Sequence, residues 1–158
     1  METISNDSIH IEKKINAPVK DIWRAWTDPA TILKWFGSDP NGWGLKAELD
    51  VQPGGHFEIT FCNGDGAEHT CSGEYKDVQE FSRLSFSWMW KSEPGVTSFV
   101  TVALPPEGNI TQMQFTHANV GTASAHNYVK GWESAFLKLE KALAAPANRS
   151  IKKEMENN

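Results

Sequence analysis

AHNYVKGWESAFLKLEKAL, residues 125–143, carries its apolar side chains at helical spacing. Ala125, Val129, Trp132, Phe136, Leu139 and Leu143 follow at intervals of four, three, four, three and four. That is one apolar stripe on an α-helix of about six turns. The chain from Trp43 to His117 has the other period. Phe57, Ile59 and Phe61 alternate with polar residues, as do Leu84, Phe86, Trp88 and Trp90, then Val100, Val102 and Leu104, then Met113, Phe115 and His117. Turn signals separate these runs: Pro53-Gly54-Gly55, Asn63-Gly64-Asp65-Gly66, Glu93-Pro94-Gly95 and Pro105-Pro106-Glu107-Gly108-Asn109. A meander of strands followed by a long amphipathic helix buries that helix's stripe most economically on the concave face of the sheet. The prediction is an α+β fold: a curved antiparallel sheet of about six or seven strands wrapped on a long C-terminal helix, with a cavity between the layers.

Upstream, Ile9, Ile11 and Ile15 predict a half-buried first strand over about 8–16. Val19, Ile22, Trp23 and Trp26 then predict a short helix after Pro18. Asp28-Pro29 restarts the chain, with Asp28 as cap and Pro29 at the first helical position. Ile32, Leu33, Trp35 and Phe36 predict a second short helix ended by Gly37. Pro146 is expected to end the long helix. The chain thus divides into a flexible N-terminus (1–7), one domain (8–145) and a polar, disordered tail (146–158).

Composition narrows the partners. The 158 residues carry a net charge of −5, which argues against nucleic acid or an anionic membrane surface. No apolar run approaches the ~18 residues of a membrane span, and Met1–Asp7 has neither the basic nor the apolar segment of a signal peptide. Two cysteines make no disulfide framework. A cytoplasmic protein is expected, either a monomer or a weak homodimer through an exposed edge strand.

Ile15-Asn16-Ala17-Pro18, Trp26-Thr27-Asp28-Pro29, Trp35-Phe36, Gly54-Gly55, Gly73-Glu74-Tyr75, Leu84-Ser85-Phe86-Ser87-Trp88, Thr116-His117 and Gly131-Trp132 occur in the order seen in START-like (SRPBCC) helix-grip domains. Over residues 8–145 the chain most resembles the branch named after the C-terminal domain of the activator of heat-shock protein 90 ATPase. The resemblance implies a helix-grip fold with a hydrophobic cavity, lipid-like or other apolar ligands, and a link to chaperones and stress response. It implies no fixed catalytic set.

Seven Trp against two Tyr raise the question of whether the indoles fill a core or line a cavity. Trp23 and Trp26 are assigned to the core. Trp35, Phe36, Trp43, Phe57, Phe86, Trp88, His117, Trp132 and Phe136 are the candidate ligand-binding residues, with Trp90 at the mouth. His117, on the inward parity of Met113 and Phe115, is the single acid/base candidate. Cys62, His69 and Cys71 form the only metal-like cluster, one ligand short of a zinc site and at no finger spacing, so no metal and no cofactor are expected. Cys62 and Cys71 should lie opposite each other if the hairpin centres near Gly66-Ala67. Lys13 interrupts the isoleucine face, either as a cation paired with a carboxylate or as a solvated lysine. The glycine pairs open no helix, so no phosphate loop is present, and nucleophile-elbow and zincin motifs are missing.

The leading expectation is a binding protein for a small hydrophobic or amphipathic molecule rather than an enzyme. The alternatives are a cyclase- or dehydratase-like enzyme using the same cavity, and a stimulator of a chaperone ATPase.

Overall fold

Alternating burial, apolar side chains inward and polar ones outward, builds an antiparallel sheet in the computed structural model. The structure describes residues 2–5, 8–120 and 125–153, with side chains described over 8–105, 108–120 and 128–143. Its principal strands are β2 (Ser8–Ile15), β3 (Trp43–Leu49), β4 (His56–Cys62), β5 (Glu68–Gln79), β6 (Arg83–Trp90), β7 (Thr97–Ala103) and β9 (Ile110–Ala118). Two short strands, β1 (Glu2–Ser5) and β8 (Pro106–Glu107), complete it. The spatial order is β1-β2-β9-β7-β6-β5-β4-β3, with β8 added to β9. Helices α1 (Val19–Thr27) and α2 (Pro29–Ile32) follow β2, and the long α3 (Ala125–Lys153) ends the described chain. This is the α+β layering expected from the change of period and the helix-grip fold that the family resemblance implies.

Of the predicted stripe of α3, Val129, Trp132, Phe136 and Leu139 are buried and Leu143 is partly buried, while the Ala125 side chain lies outside the described residues. Trp26 stands at the centre. Its ring lies 4.9 Å from Trp35 and about 6.2–6.3 Å from Phe86, Phe115, Trp132 and Phe136. Asp28 caps α2, accepting hydrogen bonds from the Thr31 N–H at 3.0 Å and the Thr31 hydroxyl at 2.6 Å, with Pro29 in the first helical position. Those bonds, the hydroxyl's first, hold the Asp28 carboxyl below its usual range.

Several expectations are corrected. Residues Glu2–Ser5 are a strand paired with β2 (Ser5 opposite Ser8, Glu2 opposite Ile11), not part of a flexible lead-in. α2 is a single turn ending at Ile32, and Leu33–Trp35 continue as tight turns in which Lys34 N donates to Thr31 O and Trp35 N to Ile32 O. α3 passes Pro146 and reaches Lys153. Proline there removes the hydrogen bond to the carbonyl of Ala142 and crowds that carbonyl, and the strong helix formers Ala142, Ala144, Ala145 and Ala147 flank it. The part of the expected tail over 154–158 lies outside the described residues.

The β4–β5 hairpin centres on Asp65 rather than near Gly66-Ala67: Cys62 faces Glu68, and Cys71 faces Ile59. The two thiols are therefore not opposed, and both are free and buried. Burial holds the Cys71 thiol far above its ordinary value, so it is protonated and inert. Lys13, half-buried, reaches Glu140 of α3 at 3.3 Å. It resolves as a rim ion pair joining the first long strand to the last helix.

Asp28→Ala should destabilise the protein by about 1 kcal/mol, the usual worth of an N-cap, measured as a shift of the urea midpoint at unchanged slope.

Candidate functional site

Where β4, β5 and β6 meet the first turns of α3, the rings do not close up. They leave an open cleft of about 380 Å³. Its aromatic walls are Phe36, Phe61, Trp88, Trp90, Tyr128 and Trp132. Trp88 stands edge-on to Trp90 (5.3 Å, 88°) and to Trp132 (5.4 Å, 60°), and Phe36 leans on it at 5.8 Å. Ser38, His69, Ser92 and Glu93 add polar groups around the opening. Trp88 is sealed behind these neighbours, and its indole N–H has no hydrogen-bond partner.

Two glycines make room. Gly131 lies on the cleft side of α3, where an added Cβ would sit 3.1 Å from Cβ of Ser38. Gly37 turns the chain after α2 at φ +118°, and a Cβ there would meet the Phe61 ring at 2.9 Å. The turn that they border is pinned. The Asp39 carboxylate accepts from the N–H groups of Asn41 and Gly64, each at 2.9 Å, and Lys138 Nζ donates to the Asp39 carbonyl at 2.8 Å. Those N–H bonds hold the Asp39 carboxyl below its usual range. Burial lowers the Lys138 ammonium, with Asp39 opposing in part.

Behind the cleft runs a closed chain of hydrogen bonds. The indole N–H of Trp132 can only donate, so His117 Nδ1 accepts it, at 3.1 Å. The imidazole proton therefore sits on Nε2 and is donated to Ser98 Oγ at 2.7 Å. Ser98 in turn reaches the Trp88 carbonyl at 3.5 Å. His117 is fully buried, and burial brings its pKa down to about 3. At neutral pH it is an uncharged strut, with both ring nitrogens engaged and no face on the cleft.

The nine candidate residues separate accordingly. Phe36, Trp88 and Trp132 border the cleft. Trp35 and Phe136 are fully buried core, and the Trp35 indole donates to the Ala25 carbonyl at 3.0 Å. Phe57 and Phe86 line a separate void of about 10 Å³ beside Trp26, room for about one water. Trp43 is 53% exposed at the start of edge strand β3. A register shift between Gly44 and Lys46 breaks the alternation, so Trp43 and Leu45 turn outward while Ala47 and Leu49 turn in.

Sequence reasoning missed Phe61, His69, Tyr128 and Gly131 as cleft residues. His69 was weighed only as a metal ligand; its Nε2 lies 3.1 Å from the Asn63 side-chain nitrogen. Among the described residues no group of three or more His, Cys, Asp or Glu is placed to hold a metal. Gly131 was the readable signal, because a glycine inside a helix is destabilising by about 1 kcal/mol unless close approach requires it.

The fold and this cleft frame the comparisons with known proteins. The profile of the family described as Activator of Hsp90 ATPase homolog 1-like protein matches residues 16–144, and the chain belongs to that family. No curated protein matches the chain. Among solved structures, protein CV1439 from Chromobacterium violaceum is similar at a TM-score of 0.78 and 20% identity, covering 87% of this chain and 96% of that one. The AHSA1-like protein from Aeromonas hydrophila gives 0.75 and 23%, covering 89% and 94%. CalU16 from Micromonospora echinospora gives 0.67 and 26%, covering 95% and 84%. Likeness at such identities carries the fold, so the chemistry is argued from the site itself. No described helix is long and apolar enough to cross a membrane.

His117 gives the protein an acid-sensitive core. Its folded pKa lies below the ordinary 6.5, so its contribution is complete above pH 6.5 and declines as pH falls toward 3. Within that window the histidine alone should remove about 1.4 kcal/mol of stability per pH unit, and His117→Gln should flatten the slope in urea titrations from pH 7 to 4.5.

Proposed function

We infer that the protein binds a small amphipathic molecule, largely apolar and flat, in the cleft between β4–β6 and the start of α3. The observation that carries this reading is a wall of rigid rings left partly open at about 380 Å³, while the rest of the interlayer space is filled by the Trp26 cluster. That volume is near the lower end of the ~300–1,000 Å³ typical of small-molecule sites. Apolar contact would supply affinity, and the polar groups at the rim would set orientation. A catalytic reading has little support, because His117 is neutral, engaged and behind the wall. Two buried free thiols suit the cytoplasmic placement expected from the sequence.

One observation favours stimulation of a chaperone ATPase as a second reading: Trp43 and Leu45 stand exposed on edge strand β3. Raising the ATPase rate of the cognate heat-shock protein 90 would support it, and no change in that rate would remove it.

Trp88, Trp90 and Trp132 report on the cleft directly. Titration with fatty acids, sterols and aromatic polyketides should change tryptophan emission saturably for at least one class. Gly131→Leu, whose side chain projects toward Ser38 and the cleft, should abolish that change while leaving the far-ultraviolet circular dichroism intact. No response to any class in the natural chain would sink the binding reading.

A further inference from the structure

Tyr128 is the one phenol in the cleft, and its oxygen is held. The Trp90 indole, a donor only, gives its N–H to Tyr128 Oη at 2.8 Å. The Trp88 N–H makes no hydrogen bond, so Trp90 is the indole that holds this oxygen. Because the Trp90 N–H is the donor in that bond, the hydroxyl proton of Tyr128 is directed elsewhere. The nearby ring of His117, 4.8 Å between centroids, cannot take it, because Nδ1 is occupied by Trp132 and Nε2 bears its own proton. Among the described residues the Tyr128 proton has no acceptor. Burial, opposed by the Trp90 bond and reinforced by Glu93, raises the Tyr128 pKa, so the group stays a neutral O–H donor.

Glu93 decides what that donor can meet. Its carboxylate lines the same cleft, within electrostatic reach of Tyr128, in a chain of net charge −5. An anionic ligand head would meet the like charge of Glu93, which stands exposed at the rim and is screened in part by solvent. A neutral acceptor meets no such opposition, and a flat ring system suits the edge-on walls of Trp88, Trp90 and Trp132.

We propose that Tyr128 is the polar anchor of the cleft, its hydroxyl donating to an uncharged carbonyl oxygen on a flat polycyclic ligand, a ketone or quinone type rather than a carboxylate. The proposal rests on the binding reading above and adds the ligand class and the residue that selects it.

The test uses the full chain and two dyes: Nile red, a neutral planar ring system with a ring carbonyl, and 1-anilinonaphthalene-8-sulfonate, an anion. Nile red should bind saturably. In Tyr128→Phe its affinity should fall about tenfold, the worth of one well-made hydrogen bond, and its bound emission should move to the blue. Trp90→Phe leaves the hydroxyl present but unheld, and should weaken the dye about threefold. The sulfonate should bind at least about tenfold more weakly than Nile red, with Glu93→Gln narrowing the gap. Near-ultraviolet circular dichroism checks that each variant keeps its packing. Failure of the natural chain to bind Nile red overturns the binding reading and this proposal with it. Binding with unchanged affinity and emission in both Tyr128→Phe and Trp90→Phe overturns only the anchor. A sulfonate dye that binds as tightly as Nile red overturns the neutral class.

Discussion

A neutral imidazole sealed inside the sheet ties four elements together. His117 on β9 takes the indole proton of Trp132 from α3, gives its own to Ser98 on β7, and through Ser98 reaches the backbone of Trp88 on β6. Each member is buried, so each bond stands in for water that cannot enter. Ionising the ring would place a charge in low dielectric and turn the acceptor of Trp132 into a competing donor. Trp132 belongs at once to the core, 4.6 Å from Phe115, and to the wall of the cleft. The orientation of that indole therefore sets how α3 seats on the sheet and how much space remains beside it.

The remaining aromatic side chains divide between filling and framing. Around Trp26 they are edge-on, tilted or, for Phe115, stacked neighbours at 4.9–6.3 Å and leave almost no space. Toward the start of α3 the same kind of ring frames a cleft, because Gly131 and Gly37 withhold side chains where closure would otherwise occur. Asp39 and Lys138 keep the intervening turn in position, one by accepting from the β4–β5 hairpin and the other by reaching across from α3. The cleft is thus bordered by fixed elements on three sides, a preorganisation that lowers the entropic opposition to binding.

The architecture was legible because periodicity is a direct imprint of burial. The alternation over 84–90 and 111–117 and the stripe from Val129 to Leu143 report which side of each element meets the core. Asp28-Pro29 was equally readable, since cap and first-turn chemistry are local. What failed depended on pairing between distant strands or on competition between local effects. Trp43 was named a candidate ligand-binding residue, but the register shift after Gly44 leaves it outward on the edge strand. The passage of α3 through Pro146, among alanine neighbours, goes against the local rule that a helix-interior proline ends the helix. Which rings fill and which frame is set by three-dimensional closure, so Trp35, Phe57, Phe86 and Phe136 could not be told from Trp88 and Trp132 by pattern alone. His117 was read correctly as inward but not as sealed, because the partners that occupy it, Ser98 and Trp132, are 19 and 15 residues away.

The seating of Trp132 and the shape of the cleft depend most on the state of His117, and nitrogen-15 NMR of the imidazole observes that state directly. The structure requires Nδ1 as an unprotonated acceptor and Nε2 as the proton-bearing nitrogen, with the ring unchanged as the pH is lowered from 8 through 6.5 toward 5. A ring that titrates near 6.5, or one that carries its proton on Nδ1, would contradict the sealed network and the positioning of Trp132 that the cleft relies on.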